Sequence, residues 1–323
     1  MSDKYFRKGF GLKDVVSDEI DRDYKSDIVD LIKSTGHEMQ IGQTKIRLAK
    51  EFGFCYGVDR SVEYAYQTVQ KFPDKNVYLT GEIIHNPHVN KRLIDMGVKF
   101  LSGPYNKGES SDDITPEDVV ILPAFGVSIP MLNQLRTKNC ILVDTTCGSV
   151  LLVWKHVEKF ASQGYTAVVH GKYYHEETIA TVSRSADKFI VVLNETEAQL
   201  VCDYIRSPKN KAEFMNYFRG KVSAQFDPDK DLVKIGVANQ TTMLANESLK
   251  IANMVKSALI DRYGEEKIVD HFHAFDTICS ATQERQDAII ELFKKEHDLA
   301  IVIGGFNSSN TKSLTAIAVS YTH

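Results

Sequence analysis

Cys140-Ile141-Leu142-Val143-Asp144-Thr145-Thr146-Cys147 decides the reading of this chain. Its first half is short and apolar, as a strand buried on both faces is. The residues after it, through Trp154 to Phe160, have helical composition. The polar tetrad therefore lies where a strand hands over to a helix. Almost the same tetrad returns as Asp276-Thr277-Ile278-Cys279, after the run Phe272-His273-Ala274-Phe275 and before a second helical stretch at 283–293. A third cysteine has a related setting. Ile46-Arg47-Leu48 reads as a strand, Phe52-Gly53-Phe54-Cys55-Tyr56-Gly57 follows, and a helix is expected from Val58. Each of the three thiols is thus expected beside unpaired N–H groups at the positive end of a helix dipole, and both favour thiolate. Three thiolates on three separate units point to one shared ligand.

The rest of the chain carries the same alternation outward. From Thr44, apolar runs at 45–48, 77–79, 119–122, 141–143, 167–169, 189–192, 232–237 and 299–303 alternate with helical stretches at 58–72, 86–96, 130–135, 150–163, 175–183, 195–204, 241–258 and 281–295. Short apolar strands alternating with helices predict an α/β fold of parallel sheets covered on both faces. Residues 102–118 read as a surface loop. Residues 209–231, charged and interrupted by Pro228, read as an insertion or loose helix, and residues 1–43 as a polar extension, irregular apart from an amphipathic turn or two at 27–33.

The bulk numbers narrow the function. Over 323 residues, 39 Lys and Arg against 43 Asp and Glu give a net charge of −4, which argues against nucleic acid as the main partner. No apolar run approaches the roughly 20 residues of a membrane span. The opening Met1-Ser2-Asp3-Lys4-Tyr5-Phe6-Arg7 lacks the apolar core of a secretory signal, so a cytoplasmic location with reduced cysteines is expected. Five cysteines at wide spacing do not form a disulfide framework. Cys140 and Cys202 have the apolar surroundings of buried structural cysteines. For Cys55, Cys147 and Cys279, zinc is disfavoured because no Cys-x-x-Cys pair occurs. An iron–sulfur cluster tolerates wide spacing, and three protein ligands would leave one iron open.

Ligands of open parallel sheets bind at the carboxyl ends of strands. Here those ends carry Thr80-Gly81-Glu82-Ile83-Ile84-His85-Asn86-Pro87, His170-Gly171-Lys172, Asn239-Gln240-Thr241-Thr242 and Gly304-Gly305-Phe306-Asn307-Ser308-Ser309-Asn310. Alone, each histidine is as well explained as a satisfied polar residue. Together, His85, His88, His170 and His175 near helix starts suit an anionic group such as a phosphate. Glu177 is a general acid if desolvated, or otherwise a first-turn glutamate complementing the helix dipole. Thr241, Thr242, Ser308, Ser309 and Asn310 serve as helix caps, ligands, or both. The glycine-rich loop lacks the Gly-Lys-Ser/Thr ending of a P-loop, yet its backbone can cradle phosphate oxygens.

Taken together, Gly-Phe-Cys55-Tyr-Gly-Val, Glu-Ile-Ile-His85-Asn-Pro, Asp-Thr-Thr-Cys147, His170-Gly-Lys-Tyr-Tyr-His175-Glu-Glu177-Thr, Asn-Gln-Thr241-Thr, Asp-Thr-Ile-Cys279 and Asn-Ser308-Ser-Asn310 make the chain resemble the 4-hydroxy-3-methylbut-2-enyl diphosphate reductases (IspH, or LytB). These enzymes are the last of the methylerythritol phosphate route to isoprenoids. The resemblance runs from about Tyr5 to Asn310, and the early residues and His-Gly-Lys-Tyr motif look like the plant and cyanobacterial branch. It implies three α/β units, at 44–146, 147–278 and 279–323 behind an extension at 1–43, arranged around one [4Fe–4S] cluster on Cys55, Cys147 and Cys279. It implies that His85, His175, Ser308, Ser309 and Asn310 hold the substrate diphosphate. Glu177, helped by Thr241, would supply protons while two electrons remove the hydroxyl as water, giving isopentenyl and dimethylallyl diphosphate. The implied partners are the small allylic diphosphate and reduced ferredoxin or flavodoxin, with neither nucleic acid nor membrane.

Two departures qualify the expectation. Phe125 stands where many bacterial members carry a phosphate-binding histidine, as it does in the plant-like branch. After Asn310-Thr311 the family's further tens of residues, with another diphosphate-binding serine, are expected and do not follow. The third unit is therefore expected to be incomplete. An inactive cluster-binding relative stands as the second reading and a zinc-dependent hydrolase as the third.

Overall fold

The computed structural model describes residues 4–275 and 277–322, so Asp276 of the second tetrad lies outside the described residues. In chain order, a two-residue strand β1 (Tyr5–Phe6) precedes helices α1 (Lys13–Tyr24) and α2 (Asp27–Ser34) and the strands β2 (Glu38–Ile41) and β3 (Thr44–Arg47). Alternation follows: α3 (Tyr56–Lys71), β4 (Val77–Leu79), α4 (Pro87–Asp95), β5 (Lys99–Phe100), β6 (Val119–Leu122), α5 (Ile129–Thr137) and β7 (Ile141–Asp144). It continues through α6 (Gly148–Ser162), β8 (Thr166–His170), α7 (Glu176–Val182), β9 (Phe189–Val192), α8 (Glu195–Arg206), α9 (Lys211–Tyr217), α10 (Pro228–Asp231) and β10 (Ile235–Asn239). Last come α11 (Ala245–Tyr263), α12 (Ile268–His271), β11 (Phe272–Ala274), α13 (Ser280–Phe293) and α14 (Ser309–Thr322).

The chain divides into two compact units. Met1–Ala124, Leu135–Cys147 and Ser280–His323 form the first, and Phe125–Gln134 with Gly148–Cys279 form the second. The first holds a sheet of order β1-β7-β6-β4-β5 and the second a sheet of order β11-β10-β8-β9. Every neighbouring pair in both sheets is parallel.

The α/β expectation is met for a physical reason visible in the second unit. Val168, Ile190, Val192, Ile235 and Val237 pack with Val201, Ile205, Ile251, Val255 and Leu259 of α8 and α11 on one face. Ala167, Val169, Val191 and Ala238 pack with Val153, Val157 and Phe160 of α6 on the other. Strands covered on both faces need apolar residues at every position, and burying each such side chain contributes about 1.5–3 kcal/mol. Gly236 is where α6 comes closest: a β-carbon there would lie 2.4 Å from the Phe160 ring.

Four expectations need correction. Residues 1–43 are not irregular: β1 pairs with β7 at the sheet edge, and α1 buries Val16 against Val62, Tyr66 and their neighbours. The run at 45–48 joins no parallel sheet; β3 pairs antiparallel with β2, because Thr44, Lys45 and Arg47 give it polar faces suited to a two-stranded ribbon. Residues 209–231 are not loose, since Phe214, Phe218 and Phe226 enter the core of the second unit. Residues 299–303 are unpaired and exposed, with Leu299, Ile301 and Ile303 at 75%, 73% and 91%. Among the described residues no strand pairs with them, and residues 280–323 belong to the first unit.

Candidate functional site

The Thr-X-Cys parts of the two tetrads are structural repeats as well as sequence repeats. After β7, the Thr145 hydroxyl donates to the Leu122 carbonyl at the end of β6 at 2.7 Å, and the Cys147 N–H donates to Ala124 at 3.0 Å. After β11, the Thr277 hydroxyl donates to the Asn239 carbonyl at the end of β10 at 3.2 Å, and the Cys279 N–H donates to Thr241 at 3.4 Å. In each case the first threonine pins the turn to a neighbouring strand end, and the cysteine reaches a carbonyl two residues further along. Each cysteine then stands immediately before a helix, α6 from Gly148 and α13 from Ser280. Cys55 is the N-cap of α3, its carbonyl accepting the Asp59 N–H at 2.9 Å.

In the first unit the α3 cysteine and the β7 cysteine meet. A β-carbon on Gly57 would fall 2.5 Å from Cys147 Sγ and 3.9 Å from Cys55 Sγ. Only a residue without a side chain lets the first turn of α3 approach that closely. Ser61, one turn on, donates to the Thr145 carbonyl at 2.9 Å. Asp144 is buried at the end of β7. Burial pushes its carboxyl up, but hydrogen bonds from Thr146 and Tyr5 and the charge of Arg7 outweigh that and hold it below the usual range.

The same unit gathers His85 and the glycine-rich loop. His85 Nδ1 lies 2.7 Å from Glu82 Oε2, while Glu82 Oε1 accepts from Asn90 Nδ2 at 2.9 Å. Asn90 Oδ1 accepts the Ile83 N–H at 3.2 Å, which ties this network to the backbone. A β-carbon on Gly305 would fall 2.0 Å from the His85 carbonyl oxygen, so the loop runs directly against this histidine. Ser308 Oγ then accepts the Thr311 N–H at 3.2 Å at the start of α14, Ser309 is buried, and Asn310 carries a buried side-chain oxygen with no hydrogen-bond partner. Glu82 and Asn90 were missed from sequence; the spacing of Glu82 three residues before His85 was the available signal.

In the second unit, Cys279, Thr241, Glu177 and His175 form one hydrogen-bonded run. Thr241 accepts the Cys279 N–H through its carbonyl and donates its own N–H to Glu177 Oε1 at 2.6 Å. The Glu177 N–H donates to His175 Nδ1 at 3.1 Å, making His175 the N-cap of α7. An accepting Nδ1 places the neutral imidazole's proton on Nε2. Thr241, Glu177 and His175 are buried, with Glu177 1% exposed. The Phe125 ring lies edge-on to His175 with centroids 5.3 Å apart. Gln240, another missed residue, accepts from the Lys172 N–H and the Thr178 hydroxyl and donates to the Thr242 hydroxyl at 3.0 Å. His170, by contrast, is a core residue, hydrogen-bonded to Ser248 Oγ at 2.8 Å and held down to about 4 by burial.

The donor set suits an iron–sulfur cluster. Cys55, Cys147 and Cys279 are half-buried and stand at helix starts. Cys140 and Cys202 are fully buried, and burial pushes both thiols up, Cys202 to about 11.

A family described as LytB protein matches residues 46–323. The chain belongs to the LytB family. It is 49% identical over 319 residues to the 4-hydroxy-3-methylbut-2-enyl diphosphate reductase of a Synechococcus species, covering 98% of this chain and 79% of that protein. The Gloeobacter violaceus enzyme of the same name is 47% identical, with 98% and 77% covered. Among solved structures, the Plasmodium falciparum E-1-hydroxy-2-methyl-but-2-enyl-4-diphosphate reductase aligns with a TM-score of 0.64 at 25% identity, covering 83% of this chain and 71% of that one. A second solved structure, of (E)-4-hydroxy-3-methyl-but-2-enyl diphosphate reductase, the terminal enzyme of the non-mevalonate pathway, aligns with a TM-score of 0.54 at 27% identity over 84% of this chain and 81% of that one. These relatives carry the reductase name, and neither the inactive nor the zinc-hydrolase reading finds support among them. Among the described residues no helix is long and apolar enough to cross a membrane.

Proposed function

We infer that the chain reductively removes the hydroxyl of 4-hydroxy-3-methylbut-2-enyl diphosphate, giving isopentenyl and dimethylallyl diphosphate. The observation that carries this reading is the run Cys279–Thr241–Glu177–His175, which sets a thiol, an acid and a histidine on successive hydrogen bonds. One [4Fe–4S] cluster held by Cys55, Cys147 and Cys279 supplies a Lewis-acidic iron and delivers the two electrons when bound. Within this proposal the units 44–146, 147–278 and 279–323 each bring one of those cysteines.

The residues do the rest. His85 and His175, with Ser308, Ser309 and Asn310, bind the diphosphate. His175 donates from Nε2, because its Nδ1 is engaged by Glu177 N–H. The unpartnered oxygen of Asn310 is an acceptor ready for a water or hydroxyl at the same end. Thr241 N–H fixes one oxygen of the Glu177 carboxyl, which orients the other to pass a proton to the departing hydroxyl. The C–O bond breaks, the hydroxyl leaves as water with that proton, and the allylic fragment takes two electrons and a second proton at either end. Burial of Glu177 keeps bulk water from competing for that proton. Reduced ferredoxin or flavodoxin in the cytoplasm would provide the electrons.

The test is substrate-dependent oxidation of a reduced viologen by the anaerobically reconstituted chain. Glu177→Gln keeps the carbonyl that accepts from Thr241 and should retain the cluster while turnover falls roughly 10²- to 10⁴-fold. Normal turnover in Glu177→Gln would remove the proton role. Full iron and sulfide in Cys279→Ser would remove the ligand assignment.

A further inference from the structure

The Asp144 carboxylate joins the beginning of the chain to the cysteine turn that follows it. Its Oδ2 accepts from the Tyr5 hydroxyl at 2.7 Å and from Arg7 Nε at 2.9 Å. Its Oδ1 accepts from the Thr146 N–H at 3.0 Å and from the Thr146 hydroxyl. Arg60, on the helix that begins at Cys55, closes the other side. One of its terminal nitrogens donates to the Arg7 carbonyl at 2.8 Å and the other to the Thr146 carbonyl at 3.2 Å. The segment thus engaged is itself anchored, through β1 on β7 and through Lys4 Nζ, which donates to the carbonyls of Pro116 and Asn139.

We propose that Tyr5, Arg7, Arg60 and Asp144 form a clamp by which residues 5–7 fix the Thr145-Thr146-Cys147 turn, with Arg60 and Asp144 as positioning residues for the Cys147 thiolate. This rests on reading Cys147 as a cluster ligand. Three features carry it. Both polar groups of the Thr146 peptide are held, its N–H by Asp144 and its carbonyl by Arg60, so the residue before Cys147 cannot rotate without breaking the clamp. The groups doing the holding come from the chain start and from the Cys55 helix, so the two cysteines of the first unit are set by one network. Finally, Asp144 is 3% exposed, where an ionised carboxylate needs the four donors it has. β1 has only two residues, so its side chains rather than its ladder secure it.

The test uses the full chain, first metal-free. Arg7 is half exposed, so Arg7→Ala should fold. Its expected effect is roughly 10-fold faster hydrogen exchange at the Thr146 and Cys147 amides, the lower end of what a hydrogen bond to a charged group contributes. Alkylation of Cys147 should accelerate while that of Cys55 does not. Tyr5→Phe should act in the same direction with a smaller effect, and Arg7→Lys should restore part of the loss. In the reconstituted protein, Arg7→Ala should release iron to a chelator faster and alter the electron paramagnetic resonance spectrum of the reduced cluster. Unchanged exchange at residues 145–147 in both Arg7→Ala and Tyr5→Phe overturns the clamp. So does an equal rise across β4, β6 and β7, which would show general loosening. Cys147→Ser separates this from the functional reading: a full complement of iron and sulfide there sinks the ligand assignment, whatever the exchange experiment shows.

Discussion

Replacing Gly57 with alanine adds one methyl group at the point where α3 meets Cys147. That carbon would stand 2.5 Å from Cys147 Sγ and 3.5 Å from its Cβ. Non-bonded carbon atoms rest at roughly 3.5–4.0 Å, and sulfur requires no less, so the thiol must retreat by about 1 Å. Two opposing terms set the effect on folding. Overpacking costs about 1–3 kcal/mol, whereas exchanging glycine for alanine in a helix returns up to about 1 kcal/mol. The metal-free variant should therefore be less stable than the parent by at most about 3 kcal/mol in urea unfolding. Metal binding is less forgiving, because productive ligand distances hold to about 0.2 Å. A 1 Å displacement of one ligand should weaken iron retention roughly 10- to 100-fold, on the scale seen when the surroundings of metal ligands are disturbed. The assay pairs urea midpoints of the metal-free proteins with iron and sulfide content after anaerobic reconstitution. A Gly57→Ala protein that loads a full cluster and retains it like the parent refutes the reasoning, because the sulfur would then have room that the structure denies it.

Three further outcomes follow from the same geometry. Iodoacetamide at pH 8 should modify Cys55, Cys147 and Cys279 of the metal-free chain, but leave Cys140 and Cys202 unmodified until the protein is denatured; comparable labelling of Cys202, whose thiol is held up to about 11, would contradict its burial. His170 is held down to about 4 against an ordinary value of 6.5, so the unfolded chain binds a proton that the folded chain refuses between those values, and folding stability falls as pH drops through that window, by at most about 3 kcal/mol. Glu247 lies 3.8 Å away, but burial raises its own carboxyl and reduces its charge at acid pH. Urea midpoints of parent and His170→Gln should converge as pH falls from 7 to 4, and a constant gap would count against the buried neutral histidine. In the core of the second unit, Gly236→Ala drives a methyl group against Phe160 and should lower stability by about 1–3 kcal/mol; an unchanged urea midpoint would show that the ring yields freely.

Much of the fold was legible because strands buried on both faces leave continuous apolar runs, as at 119–122 and 189–192. Of the strands that escaped notice, Tyr5–Phe6 and Lys99–Phe100 have two residues each and show no periodicity, and Glu38–Ile41 lies in a polar stretch. Residues 299–303 show the reverse failure: an apolar run marks what a strand would look like, but pairing needs a neighbour. The charged stretch at 209–231 hid three core phenylalanines, because isolated aromatic residues on a short helix, at its end and in the loop beyond do not form a stripe. Cys147 and Cys279 stand out in the sequence through a repeated tetrad, and Cys55 through its strand-to-helix setting. Glu82 could be suspected from its spacing to His85, whereas the Asn90 link to Glu82 and Ile83 depends on how the turn between β4 and α4 folds and leaves no periodic mark in the sequence.

The chain leaves the first unit after Cys147 and re-enters it after Cys279, with one shorter excursion at Phe125–Gln134. Synthesis from the amino end therefore delivers the whole of the second unit before α13 and α14 exist. The second unit can mature while the first is still waiting for its last two helices. Cys55 and Cys147 emerge early and Cys279 late, so a cofactor needing all three thiols is added only after the ribosome has passed the final crossing. If the proposed three-cysteine assignment holds, the order of translation sets the earliest moment at which such a cofactor can be bound.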